Sequence, residues 1–406
     1  MLFSFNEKSV ILLMFFVHAL VFACLLLVKG IRYSSASDRW LSFFMFLCAL
    51  YIAPFMLGYA GWYSQENYRH LLFYMPFQQL FLIPPVLFFY MRSLLDKSFT
   101  IKKRHLLHFL PAVLYDLYSL LIFICDELVI GHSYFYEDGR DKDFAAWYQV
   151  AGFASMFVYL FASFVIYRRY RHYVFASLSF AEAVAYKWAE RFIAALLVLL
   201  SLRLAFFIIN PEWGEFGRKF WYYVCFSVSF YYISIHGLVN SVRQGVPLHI
   251  FSRASGSMLQ GVLPGIKTEP EVNNSDTAAV IPDKVLDIDP EELALWKERI
   301  NRVMNEAKLF ENPVLTIADL AEKLAIHPKK ASQWVNLGFG MNYNDFVNSY
   351  RVRSVLEKME RGEADLQTII GLAFDAGFNS KSTFNRVFKK STGLTPREYM
   401  AKLQQK

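Results

Sequence analysis

Lys381, Ser382, Asn385, Arg386, Lys389 and Lys390 lie close together near the C-terminus, at spacings of three and four. On a helix, residues so spaced share a face. Amide and guanidinium groups on such a face suit the edges of nucleic-acid bases, Asn for adenine and Arg for guanine. Lys389 and Lys390, at the end of the run, suit phosphate, which carries affinity rather than sequence information. A similar set stands upstream. Lys330, Gln333 and Trp334 form one helical face, with Lys329 beside it. Ala331, Val335, Phe384, Val387 and Phe388 fall on the opposite side and are expected to pack inward.

Little else in the chain has the pattern of a reactive site. Cys24, Cys48, Cys125 and Cys225 stand singly inside apolar runs. With no Cys-x-x-Cys pair, neither a zinc site nor a disulfide framework is expected. No nucleophile constellation, metal-ligand spacing or cofactor motif occurs, so no enzyme activity and no cofactor are expected. The remaining polar candidates sit within apolar stretches: His18, Gln78, Gln79, His108, Asp116, Arg203 and His236. Two readings stand for them. They bind helix to helix, or His18, Gln78, Gln79, Asp116 and Arg203 line an intramembrane ligand site, with Asp116 and Arg203 as one conceivable pair.

The elements that must hold the basic faces can be read from the pattern. Leu320-Ala321, Leu324, Ile326 and Val335 repeat 52 residues on as Leu372-Ala373, Ala376, Phe378 and Val387. Each copy reads as a short helix, a tight turn and a second helix. Thr316 and Asp319 form a capping box for the first. Gly377 makes the turn of the second copy, where the first has Ala325. A helix over residues 328–337 carries the first basic face. A longer helix from Tyr343 to about Glu360, buried along Phe346, Val347, Tyr350, Val355 and Leu356, joins the copies. Upstream, Asp289-Pro290-Glu291-Glu292 marks a strong helix start.

Residues 1–240 have a different character. Of the 406 residues, 55% are hydrophobic, and the net charge is +7. Mean hydropathy is +0.27. Seven apolar stretches, near 9–29, 40–60, 70–92, 106–125, 148–167, 188–210 and 220–240, reach the ~20 residues needed to cross a bilayer. Lys and Arg favour the odd-numbered loops, as in Lys102-Lys103-Arg104 and Arg168-Arg169-Tyr170-Arg171. The loop at 126–147 is acidic. The positive-inside rule then places the N-terminus outside and the C-terminus in the cytoplasm, on the side of the DNA. Residues 241–288, rich in Gly, Pro, Ser, Asn and Thr, read as a flexible cytoplasmic linker. A coil of about 40 residues cannot transmit a rigid push. A signal is therefore expected to act through association of the bundles, or through proteolysis within the linker.

Residues 290–400 resemble the AraC/XylS family of bacterial transcription regulators. The run Gly377-Phe378, Phe388-Lys389-Lys390, Gly393, Thr395-Pro396 and Tyr399 carries the resemblance. It implies seven helices, two helix-turn-helix units in one monomer, and promoter binding. Two positions depart from the family pattern: Ala331 replaces the usual Leu, and Trp334 stands where a polar residue is usual. The fold class expected is all-α: a seven-helix transmembrane sensor bundle over 1–240 and an AraC-type domain over 289–406. The expected setting is the bacterial inner membrane. Expected partners are promoter DNA as a duplex, the lipid bilayer, an unidentified small-molecule or protein signal, and a second copy of the chain. The competing reading is a transporter or membrane enzyme with a regulatory cytoplasmic tail. The absence of an internal repeat in the membrane half and of a catalytic cluster weighs against it.

Overall fold

The computed structural model describes residues 3–96, 99–132, 134–135, 145–181, 187–209, 219–242 and 289–404. Those residues are all-α. They fall into two compact units, one within Met1–Tyr167 and Tyr186–Gly265, the other within Arg168–Ala185 and Ile266–Lys406. The expected linker lies outside the described residues from 243 on, as does the acidic loop at 133 and 136–144.

The N-terminal unit contains α1 (Glu7–Arg32), α2 (Ala36–Tyr59), α3 (Glu66–Tyr74), α4 (Ile83–Leu95), α5 (Leu110–Phe123), most of α6 (Ala146–Ser177), α7 (Lys187–Ile209) and α8 (Phe220–Val242). Among the described residues, four helices are long and apolar enough to cross a membrane: α1, α2, α6 and the 220–239 part of α8. Three of the seven expected spans differ from a simple apolar helix. The third is two helices, α3 and α4, separated by non-helical residues around Pro76–Leu80. The fourth changes type, from 3₁₀ (Lys103–Phe109) through α5 to a π turn (Ile124–Ile130). The sixth, α7, is long enough but carries Lys187, Glu190, Arg191 and Arg203.

The break in the third span has a physical account. Proline at 76 has no N–H to give to a helix. The backbone freed there is re-satisfied from within the protein. The Leu80 N–H donates to the Tyr148 hydroxyl (3.0 Å), which in turn donates to the Gln78 carbonyl. Irregular backbone buried in this way is compatible with membrane depth. Four of the polar candidates, Gln78, Gln79, Asp116 and Arg203, gather nearby. Gln149 donates to Gln78 Oε1 (2.9 Å), and Arg203 donates to Gln149 Oε1 (2.9 Å). Gln79 donates to Asp116 (3.0 Å). The conceivable Asp116–Arg203 pair is thus replaced by two amide-mediated contacts. His18 bonds Ser234 at 2.8 Å, away from this group in the chain. A cavity of about 50 Å³ lined by Tyr51, Leu80, Arg203 and Tyr222 adjoins the network. That volume suits a few waters.

The C-terminal unit contains seven further helices: α9 (Pro290–Glu306), α10 (Ile317–Leu324), α11 (Pro328–Phe339), α12 (Tyr343–Glu360), α13 (Ile369–Asp375), α14 (Lys381–Thr392) and α15 (Pro396–Gln404). Asp289 caps α9 by accepting from Glu291 N (3.0 Å), and Thr316 and Asp319 cap α10 reciprocally. α12 is buried on its flanks into two cores. Ile300, Leu320, Ala331, Val335 and Phe346 belong to the first. Val355, Leu372, Phe378, Phe384 and Phe388 belong to the second.

Candidate nucleic-acid interface

α11 and α14 are the helices that carry the two basic faces. Each has 12 residues. Each starts from a side-chain cap, His327 or Ser380, and ends at a left-handed glycine, Gly340 or Gly393. These caps fix the correspondence. Pro328 matches Lys381, Phe339 matches Thr392 and Gly340 matches Gly393, a displacement of 53 residues. The supporting helices keep the displacement of 52, as Leu320 matches Leu372 and Ala325 matches Gly377. The extra residue lies in the turn, where Ala325-Ile326-His327 faces Gly377-Phe378-Asn379-Ser380.

That single residue changes the reading of α11. Ala331 now matches Phe384 and Val335 matches Phe388, and all four are fully buried. Trp334 matches Val387, a core-facing position. Its indole is partly buried against the first core and stacks on Trp296, with ring centroids 5.8 Å apart. The outward face of α11 is therefore centred on Lys329, Gln333 and Asn336. Gln333 corresponds to Arg386 and Lys329 to Ser382. Ser332, absent from the sequence-level candidates, corresponds to Asn385. The helix caps were the signal that could have found it: His327-Pro328 and Ser380-Lys381 are both helix starts, and counting from them gives 53.

On α14, Lys381, Ser382, Asn385, Arg386, Lys389 and Lys390 are all exposed on one side, while Phe384, Val387 and Phe388 are buried on the other. Lys390 Nζ lies 3.0 Å from Asp345, near the start of α12. On α11, Lys329 and Lys330 are exposed and Gln333 is half-buried. The turns that present these helices are tight. Gly377 has φ +91°, and a Cβ there would sit 2.3 Å from the Phe310 carbonyl oxygen. Ala325 holds the equivalent place in the left-handed region, at φ +56°.

A further group sits on α12. Asn344, Asn348 and Arg351, four and three apart, form a buried polar ridge. Asn348 donates to Asn344 Oδ1 (3.2 Å) and Arg351 Nη1 donates to Asn348 Oδ1 (3.3 Å). The Arg351 guanidinium also donates to the carbonyls of Phe310 (2.8 Å) and Asn312 (2.8 Å). Burial lowers its pKa to about 10, against the opposing pull of Tyr343, so it remains charged at neutral pH.

Residues 320–402, from the first core to the last helix, match the helix-turn-helix domain family. The uncharacterized HTH-type transcriptional regulator YobQ of Bacillus subtilis (strain 168) is 37% identical over 92 residues, which are 22% of this chain and 36% of that protein. Uncharacterized HTH-type transcriptional regulators of Staphylococcus aureus, strains COL and N315, are 26% identical over 102 residues, 25% of this chain and 13% of theirs. The chain thus spans well under half of these relatives. No solved structure matches. The C-terminal unit carries a helix-turn-helix domain of the transcriptional-regulator type.

Proposed function

We propose that the chain is a membrane-tethered, sequence-specific transcription regulator. The observation that carries this reading is the pair of equally long, equally capped helices, α11 and α14. Both hold their apolar side in a core and their polar side outward, and a single helix, α12, joins them. In a helix-turn-helix the second helix enters the major groove, and two such units on one spacer suit sites about one DNA turn apart, roughly 34 Å. Lys329, Ser332 and Gln333 on α11, with Ser382, Asn385 and Arg386 on α14, would meet base edges. Lys330, Lys381, Lys389 and Lys390 would meet phosphates.

The membrane part rests on the four long apolar helices and on the loop charges. Seven crossings, N-terminus outside, are proposed. Three of them use the broken, mixed or charge-bearing segments described above. The polar network around Gln78, Gln149 and Arg203 is the part of that bundle best suited to respond to a signal. A second copy of the chain is the partner expected at a promoter with two sites.

Mapping of the DNA bound by the full-length protein in its own cells tests the reading. Discrete peaks sharing a two-part motif are expected. Uniform coverage, with no motif recovered, would sink it.

A further inference from the structure

The last turns of α6 and the residues after it, from 168 to 181, belong to the C-terminal unit. They are bound to it by a specific set of contacts. Leu178 forms an antiparallel bridge with Thr316, and the Ser179 N–H donates to the Leu315 carbonyl (3.1 Å). The polar ridge of α12 receives the same residues. Asn344 Nδ2 donates to the carbonyl of Ser179 (2.8 Å) and more weakly to that of Leu178 (3.4 Å). Arg351 Nη2 donates to Ser179 Oγ (3.1 Å) and Nη1 to the Ser179 carbonyl (3.4 Å). Val174, Leu178, Ser179, Phe180 and Ala181 are all buried. Finally, the Ser332 hydroxyl donates to the Ala176 carbonyl (3.3 Å).

This last contact bears on function. Ser332 occupies on α11 the place that Asn385 occupies on α14, at the edge of the outward face. While this contact holds, the Ser332 hydroxyl is engaged by the Ala176 carbonyl. We propose that residues 174–181 form an intramolecular latch, which holds the first helix-turn-helix in a state that cannot fully enter the major groove. DNA and the latch then compete for α11. The buried ridge Asn344–Asn348–Arg351 is the receptor for the latch: Asn344 Nδ2 and the Arg351 Nη1 and Nη2 atoms all donate to residues 178 and 179. The latch is the end of α6, an unbroken helix from Ala146 to Ser177 whose earlier part lies among the apolar helices. Movement of α6 along or about its axis would pull directly on these contacts. This inference rests on the DNA-binding reading above.

The test uses full-length protein in detergent micelles. The DNA probe is a fragment selected by this protein from sheared genomic DNA of its own cell. In the variant Ala176→Cys with Ser332→Cys, a short, reducible thiol-reactive bridge should join the two positions in the resting protein. Bridged protein should bind the probe at least tenfold more weakly than the same sample after reduction. Ser332→Cys capped with a one-armed reagent is the steric control, and bridged protein should bind more weakly than it does. Ser179→Pro removes the N–H given to Leu315, and should tighten binding several-fold. Failure of the bridge to form, or equal binding by bridged and reduced protein, would overturn the latch. Weaker binding by Ser179→Pro would also overturn it, since the segment would then be helping to hold DNA. If no form, Ser179→Pro included, retrieves any DNA, the DNA-binding reading itself fails.

Discussion

Arg386 stands at the centre of the outward face of α14, exposed and flanked by Lys389 one turn on. Replacing it with Ala should cost about 1–3 kcal/mol of binding and relax preference at one base pair. Selection of DNA from a randomised pool before and after the change measures both. Unchanged preference would mean that α14 is turned differently in the groove. On α11 the displacement of 53 residues separates two neighbours. Gln333→Ala should alter base preference. Trp334→Phe should not, while Trp334→Ala should lower stability by about 2 kcal/mol, because its ring packs against the first core and stacks on Trp296. Thermal melting alongside the selection distinguishes them. Ala325, exposed and at φ +56°, bears a left-handed strain of roughly 1–2 kcal/mol. Ala325→Gly relieves it but adds chain entropy to the unfolded state, so a net gain of about 0.5 kcal/mol is expected in denaturant melts.

At the scale of elements, the two turns are asymmetric. Gly377→Ala would press a methyl against the Phe310 carbonyl, and should cost at least about 2 kcal/mol. Melting of the intact protein checks this against the gain at 325. The last helix has its own pH response. Glu398 accepts from Thr395 N (2.7 Å), and that bond holds its pKa below the ordinary carboxylate value. The cap is therefore complete above the unfolded pKa of about 4.5, and is lost as pH falls through the lower folded value. Amide exchange in α15 should quicken in that acid range and not at neutral pH. Most helices of the C-terminal unit were legible, because caps, prolines and apolar spacing agree locally: Asp289-Pro290, Thr316 with Asp319, and the run from Tyr343 to Glu360 all form as the sequence suggests. The register between the two copies was not, since one residue inserted in a turn leaves the apolar pattern nearly intact. The polar ridge of α12 was visible as Asn344, Asn348 and Arg351 at spacings of four and three. Its partner, some 165 residues earlier, left no local mark.

At the scale of the whole chain, the apolar stretches foretold helices but not their breaks. Pro76 was visible, yet prolines at 54 and 111 are accommodated within α2 and α5. At 75–80 the freed backbone has a partner that is distant in the chain: the Leu80 N–H donates to Tyr148, 68 residues away. The proposed topology is open to a direct check. Reporters fused after Lys142 should be active only on the outer face of the membrane. Activity on the cytoplasmic face there would remove the seven-crossing arrangement.

The contacts of Ser179 bear on what a protease could accomplish. A cut between 250 and 280 severs the covalent tie between the last apolar helix and the DNA reader. It leaves untouched the non-covalent tie at 174–181, which comes from a different, earlier part of the chain. On the proposed membrane placement, two moorings must both be slipped before the helix-turn-helix domain can drift away. With a cleavage site engineered there, the cut fragment should still sediment with membranes, and Ser179→Pro should send it into the supernatant. Proteolysis alone would then be a silent event, given meaning only by whatever has already moved α6.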